Sequence, residues 1–266
     1  MKITRPLKLK NPIQQYAWGS HTAIQSLMGG ASTEAPWAEL WMGDHPKGPS
    51  QVFFENRWIP LPDLIRRFPE QILGPAVMEK YPAALPYLFK VLAAEQPLSI
   101  QAHPARDQAK TGFEKENKSG AQLDAPERNY KDPNHKPECI CALTRFTGLK
   151  GFRKSETAAA LMRKWCPHGL SEQIAFIEQN NLRKFFQTLM AMPDIKKQAV
   201  ISEVLENTHQ STSLDDICLW IKKLATHYPA DIGVISPLFL NLFHLSPGEA
   251  LYLPSGTARV SGRSGH

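Results

Sequence analysis

Leu182-Arg183-Lys184-Phe185-Phe186-Gln187-Thr188-Leu189-Met190 carries the strongest periodic signal in the chain. Leu182, Phe185, Phe186, Leu189 and Met190 fall at i, i+3, i+4, i+7 and i+8, which puts them on one face of an α-helix. Leu214, Ile217, Ile221 and Leu224 repeat the pattern, with Ser213 and Asp216 placed to cap the helix start. Ser155 and Ser171 read as N-caps of two further helices, and Pro193 and Pro229 punctuate the series. The Phe, Met and Trp side chains here read as core packing.

On either side the texture changes. Most of the 22 prolines precede residue 152, scattered among short apolar runs such as Gln51–Phe54 and Ser99–Ala102. That suits short strands and ordered loops, with one helix near Leu61–Phe68. After a last apolar stretch, Ile232–Phe243, the turn signal Ser246-Pro247-Gly248 introduces Ala250–Leu253, where Leu251 and Leu253 alternate with Ala250 and Tyr252. The predicted organisation is mainly β with a helical insert: residues 1–151, an all-α segment at 152–240, and a return to the β domain at 241–266.

Composition narrows the partners. Hydrophobic residues make up 42%, enough for a real core. Lys and Arg number 31 against 25 acids, and the excess is spread along the chain, which argues against a nucleic-acid tail and suits a small anionic substrate. Four cysteines without a Cys-x-x-Cys pair read as reduced, buried thiols. The N-terminus lacks an apolar targeting core, and no apolar run is long enough to span a bilayer. A soluble, cytoplasmic monomer with no nucleic-acid or membrane partner is expected.

Chemistry concentrates in two stretches. In Pro97-Leu98-Ser99-Ile100-Gln101-Ala102-His103-Pro104, strand alternation would project Ser99, Gln101 and His103 together and turn Ile100 and Ala102 toward a core. An imidazole and an amide oxygen there can hold a borderline metal, although a lone histidine on a strand is more often a packed or surface residue. In Tyr130-Lys131-Asp132-Pro133-Asn134-His135-Lys136-Pro137-Glu138, Lys136 and Glu138 would share a face, and Glu138 could complete a mixed site. The same residues also fit a solvated loop followed by a buried strand. Residue spacing alone leaves both open. His45, in Gly43-Asp44-His45-Pro46, reads as turn structure, and Cys139-x-Cys141 as core thiols pointing away from the Glu138 face.

Longer motifs separate the two cases. NPIQQYAWGS at Asn11–Ser20, AELWMGDHPKGPS at Ala38–Ser50, LFKVLAAEQPLSIQAHP at Leu88–Pro104, ERNYKDPNHKPE at Glu127–Glu138 and PGEALYLPSGT at Pro247–Thr257 resemble type I mannose-6-phosphate isomerases, in the right order. The resemblance implies a cupin-type β barrel interrupted by a helical domain. It implies one zinc ion, with Gln101, His103 and Glu138 matching three of four ligands. It also implies a catalytic role for Lys136, His135 and Lys90, and a pocket lined by Trp18 and Ser99. The implied reaction interconverts mannose 6-phosphate and fructose 6-phosphate by proton transfer between C1 and C2 through an enediol. Lys136 could be the base or support an oxyanion; both roles stand. There is no Gly-rich phosphate loop, so scattered basic and hydroxyl groups would meet the phosphate.

The resemblance breaks after Thr257. The family places its fourth ligand, a histidine, where this chain has Arg259, which cannot ligate zinc. One permitted coding of Arg259–His266, with the bases CA restored at its start, reads His-Ala-Tyr-Leu-Glu-Gly-Arg-Ala-Ile, similar to the family's continuation. The expectation is therefore a chain truncated or frameshifted after Thr257, its barrel incomplete, a second cupin domain absent, and His266 not a ligand. Its turnover is open on that reading, and the alternatives are a non-catalytic metal- or sugar-phosphate-binding cupin remnant or a product without a stable fold.

Overall fold

A computed structural model describes residues 3–81, 84–210, 215–256 and, for the backbone alone, 258–262. The chain forms two compact units, Met1–Gln96 and Pro97–His266.

The first unit holds two three-stranded antiparallel sheets. One runs in the order Leu9–Lys10, Gln51–Phe54, Arg57–Pro60, and the other Ile13–Gln14, Glu39–Met42, Phe89–Leu92. Val52 and Phe54 alternate inward from exposed Gln51 and Phe53 and meet Leu61, Leu64 and Ile65 of the helix Leu61–Arg67. The expected helix is thus present. His45 accepts the Lys47 N–H at 3.2 Å through Nδ1, the turn role read from its neighbours.

In the second unit a four-stranded antiparallel sheet has the order Leu240–Leu245, Phe146–Phe152, Ala258–Gly262, Gln101–Ala102. A two-stranded sheet pairs Ala250–Leu253 with Glu138–Cys141. Neither sheet closes into a barrel among the described residues.

The helical segment gathers the main core. Leu182–Met190 is a helix, capped by Asn181, whose Oδ1 accepts the Lys184 N–H at 3.1 Å. Its apolar stripe buries Phe185 and Leu189 completely, and Phe185 meets Phe239 edge-on with ring centroids 5.3 Å apart. Three capping expectations are corrected. The helices starting at Ser155 and Ser171 are preceded by Lys154 and Leu170, with no side-chain cap, and Ser155 Oγ instead donates to Asn180 Oδ1 at 2.6 Å. Asp215, not Asp216, caps the helix Asp216–His227 by accepting the Ile217 N–H; Ser213 and Leu214 lie outside the described residues. Ile232–Phe243 divides into a 3-10 turn, the short helix Ser236–Phe239 and the start of a strand.

The cysteines divide two and two. Cys166 and Cys218 are buried, as expected, whereas Cys139 and Cys141 are exposed. Their strand pairs only with Ala250–Leu253, so among the described residues nothing packs a core over the cysteine face. No helix of the described residues is long and apolar enough to cross a membrane.

Burial pushes the Cys166 thiol up, and its hydrogen bond to Glu203 adds to that. Glu203 also accepts the His168 and Gly169 N–H groups at 3.0 and 2.8 Å. Burial opposes its ionisation, but these donors win and hold its carboxyl below the ordinary value of 4.5. A lowered carboxylate contributes stability above its unfolded pKa, and that contribution is lost as pH falls through the folded one. Glu203→Gln should therefore flatten the acid limb of the melting profile below about pH 4.5. Thermal melts of both proteins from pH 3 to 6 check this; parallel acid limbs would refute it.

Before residue 152 four helices besides Leu61–Arg67 were not foreseen: Ala23–Leu27, Pro69–Leu73, Pro75–Met78 and Arg106–Lys118. Arg106–Lys118 is largely polar and buries only Ala109. Its Gly112 lies against Tyr130, and an added Cβ would sit 2.5 Å from the ring. Gly to Ala in a helix gains about 1 kcal/mol by propensity, whereas overpacking costs about 1–3 kcal/mol. Gly112→Ala is expected to be net destabilising by about 1 kcal/mol, read from urea denaturation.

Candidate metal centre

Two of the three expected ligands come together. Glu138 opens its strand opposite Leu253, and His103 follows the strand Gln101–Ala102. His103 Nε2 lies 3.3 Å from Glu138 Oε1, with about a quarter to a third of each side chain exposed (27% and 31%). The turn before Ala258 fixes this corner: Gly256 adopts φ +88, open to glycine at no steric cost, and its N–H donates to the His103 carbonyl at 2.6 Å. Gln101 opens that same strand, directly opposite Arg259 in backbone register. Among the described residues no three His, Cys, Asp or Glu side chains gather, so a third donor here would come from a different kind of group, such as the Gln101 amide.

His135 and Lys136 lie on the loop leading to Glu138, outside any strand. Arg106 Nη2 is 3.1 Å from His135 Nε2, and Ser255 Oγ is 3.2 Å from Nδ1. A guanidinium can only donate, so Nε2 accepts and Nδ1 carries the proton toward Ser255. Lys136 Nζ is paired with Asp132 Oδ2 at 2.9 Å, and Asp132 Oδ1 accepts the Asn134 N–H at 2.9 Å. Burial raises the Asp132 carboxyl, but Lys136 and Asn134 outweigh it, so the net shift is downward.

That loop is stapled to the helix Arg106–Lys118. Arg128, only 4% exposed, donates to the Tyr130 carbonyl at 2.8 Å, the Ala121 carbonyl at 2.6 Å and Asn117 Oδ1 at 2.6 Å. Its guanidinium also lies 5.0 Å from the Phe113 ring centroid. Glu116 accepts the Tyr130 and Asn129 N–H groups at 2.8 and 3.2 Å, and the Tyr130 donor is the main reason its carboxyl is lowered. Sequence reading missed Arg106, Glu116, Arg128, Asp132 and Ser255. Only the internal Asp132–Lys136 spacing could have hinted at one of these pairings.

The other expected site residues fall elsewhere. Ser99 borders a cavity of ≈ 770 Å³ whose wall is mainly apolar, with Ile100, Phe152, Phe186, Met190 and Leu224. Lys90 and Trp18 belong to the first unit. Lys90 Nζ pairs with buried Glu39 at 2.6 Å, and Glu39 also accepts the Trp41 indole N–H at 2.6 Å. Trp18 stacks on Tyr16 with centroids 5.5 Å apart.

Residues 7–155 match the phosphomannose isomerase type I catalytic domain, and residues 162–240 match the helical insertion domain of the same type. Mannose-6-phosphate isomerase of Salmonella typhimurium is 42% identical over 255 residues, 92% of this chain and 63% of that protein. The Escherichia coli protein is 41% identical over 256 residues, with the same coverage, and the Homo sapiens one 33% identical over 285 residues, 95% of this chain and 64% of that one. The chain thus spans under two thirds of the length of these relatives. A crystal structure of a point mutant of Salmonella typhimurium phosphomannose isomerase superposes with a TM-score of 0.90 at 37% identity, over 97% of this chain and 66% of that one. A structure of the same organism's enzyme bound to substrate (F6P) and zinc gives 0.87 at 38% identity with the same coverage.

Proposed function

Since this chain belongs to the type I phosphomannose isomerase family, we propose that it interconverts mannose 6-phosphate and fructose 6-phosphate with zinc held by Gln101, His103 and Glu138. The observation that carries the reading is the approach of His103 Nε2 to Glu138 Oε1 at 3.3 Å, in a fold so close to zinc-bound relatives. An imidazole nitrogen, a carboxylate and an amide oxygen fit a borderline cation. In this reading the strands carrying these residues form part of a cupin-type barrel.

Zinc there supplies Lewis-acid polarisation of the sugar oxygens at C1 and C2. The chain's own groups do the rest. Lys136 supports the developing oxyanion as an ammonium or, as the neutral amine, takes up the proton moved between C1 and C2, and Asp132 aims it. His135, fixed in one tautomer by Arg106 and Ser255, offers a defined donor–acceptor pair beside it. By resemblance alone, Lys90 is proposed as a further catalytic residue and Trp18 and Ser99 as residues that meet the substrate.

A second reading, a non-catalytic metal- or sugar-phosphate-binding protein, rests on Arg259. The strand register puts its backbone opposite Gln101, where the resemblance places a histidine. Zinc analysis of the purified protein beside a mannose 6-phosphate turnover assay separates the two. Zinc with turnover is expected; zinc without turnover favours the second reading, and neither overturns both.

A further inference from the structure

Cys139 and Cys141 sit where core side chains were expected, yet both are exposed free thiols. They are two residues apart on the strand Glu138–Cys141, so they project from the same face, opposite the one that carries Glu138. The register sets Tyr252 across from Cys139 and the small Ala250 across from Cys141, which leaves room over the second thiol.

The spacing selects a chemistry. Residues i and i+2 of a strand have Cα atoms roughly 6.6 Å apart, at the outer limit for a disulfide, whose usual separation is about 5.5–6 Å. A direct S–S bond here would be strained. If each Sγ leans toward the other, the sulfurs come to roughly 4–5 Å, and with metal–sulfur bonds of about 2.3 Å a linear sulfur–metal–sulfur unit spans roughly 4.6 Å. Zinc requires four ligands, and no third His, Cys, Asp or Glu gathers with the pair among the described residues. A soft monovalent ion is satisfied by two thiolates.

We propose that Cys139 and Cys141 form a two-coordinate site for copper(I). One ion is bound by two sulfurs, the two thiol protons pass to solvent, and no electron is transferred. The site is separate from the zinc ligands, since alternation turns Glu138 to the other face.

The test is an anaerobic competition in which the whole protein is titrated against the coloured copper(I) complex of bathocuproine disulfonate. One equivalent of copper(I) should leave the chelator. X-ray absorption should show two sulfur neighbours, and iodoacetamide footprinting should show both Cys139 and Cys141 protected together. Because the pair acts as a chelate, Cys139→Ser and Cys141→Ser should each weaken binding by about 10²-fold or more. In both variants Cys166 and Cys218 should stay shielded from alkylation, which reports an intact fold. Three results would each overturn the proposal: affinity within threefold of the parent in either folded variant, independent uptake of two ions, or protection confined to Cys166 and Cys218. If a serine variant loses the shielding of Cys166, the footprint of the unmutated protein decides alone: joint protection of Cys139 and Cys141 upholds the site, and its absence sinks it.

Discussion

His103→Ala is expected to reduce bound zinc to background and to lower isomerase turnover by at least about 10³-fold. The imidazole is the single nitrogen donor in the proposed set. Removing it leaves a carboxylate and a neutral amide, a pair that binds a borderline cation poorly and suits harder ions. The loss also deprives Glu138 of the group 3.3 Å from its Oε1. The surrounding turn should survive, because Gly256 donates to the His103 backbone carbonyl and not to the ring. A factor of 10³ is about 4 kcal/mol of transition-state stabilisation, within what a metal contributes by charge stabilisation. Metal content by atomic emission and turnover on mannose 6-phosphate are the readouts. Parental zinc and full turnover in the variant would remove His103 from the metal centre.

Phe185→Ala should destabilise the helical core by about 3–5 kcal/mol. Phe185 is fully buried, and its ring contacts both Phe239 and Phe152, with centroids 5.3 and 6.5 Å away. The truncation removes the transfer free energy of the benzyl group and leaves a cavity beside Phe152 and Phe239 that a close-packed core closes only in part. Met190, on the same stripe but 39% exposed, gives the internal contrast: Met190→Ala should cost less than about 1 kcal/mol. Urea denaturation followed by far-UV circular dichroism compares the two. Equal losses would mean that the stripe is not the buried face.

The helical segment was legible because its stripe at Leu182–Met190 reflects burial directly: the residues at i+3 and i+7 became the most buried ones. Ile100, turned inward by alternation, does pack against that core. The helix Arg106–Lys118 left no such trace. It buries one alanine, and its role is to accept a loop through Arg128, Glu116 and Gly112, a set of tertiary contacts that no local period encodes. Serine caps failed for a related reason, since a hydroxyl before an apolar run can find a better acceptor in a distant part of the chain, as Ser155 does in Asn180. At the site, Gln101, His103 and Glu138 were drawn from family-like motifs. Their strands are shorter than alternation suggested, covering Gln101–Ala102 and beginning only at Glu138. The cysteines show the limit of alternation. It gave the right face, but whether anything covers that face depends on the sheet's neighbours.

The buried Arg128 staple has a thermodynamic consequence for any ligand that meets the loop carrying His135 and Lys136. Fixing one residue's backbone costs about 1–2 kcal/mol in conformational entropy, and a floppy loop would charge that against affinity at each encounter. Here the guanidinium and Glu116 fix Asn117, Ala121, Asn129 and Tyr130 when the chain folds. That share of the ordering is done before any ligand arrives, so association there draws on a base already set.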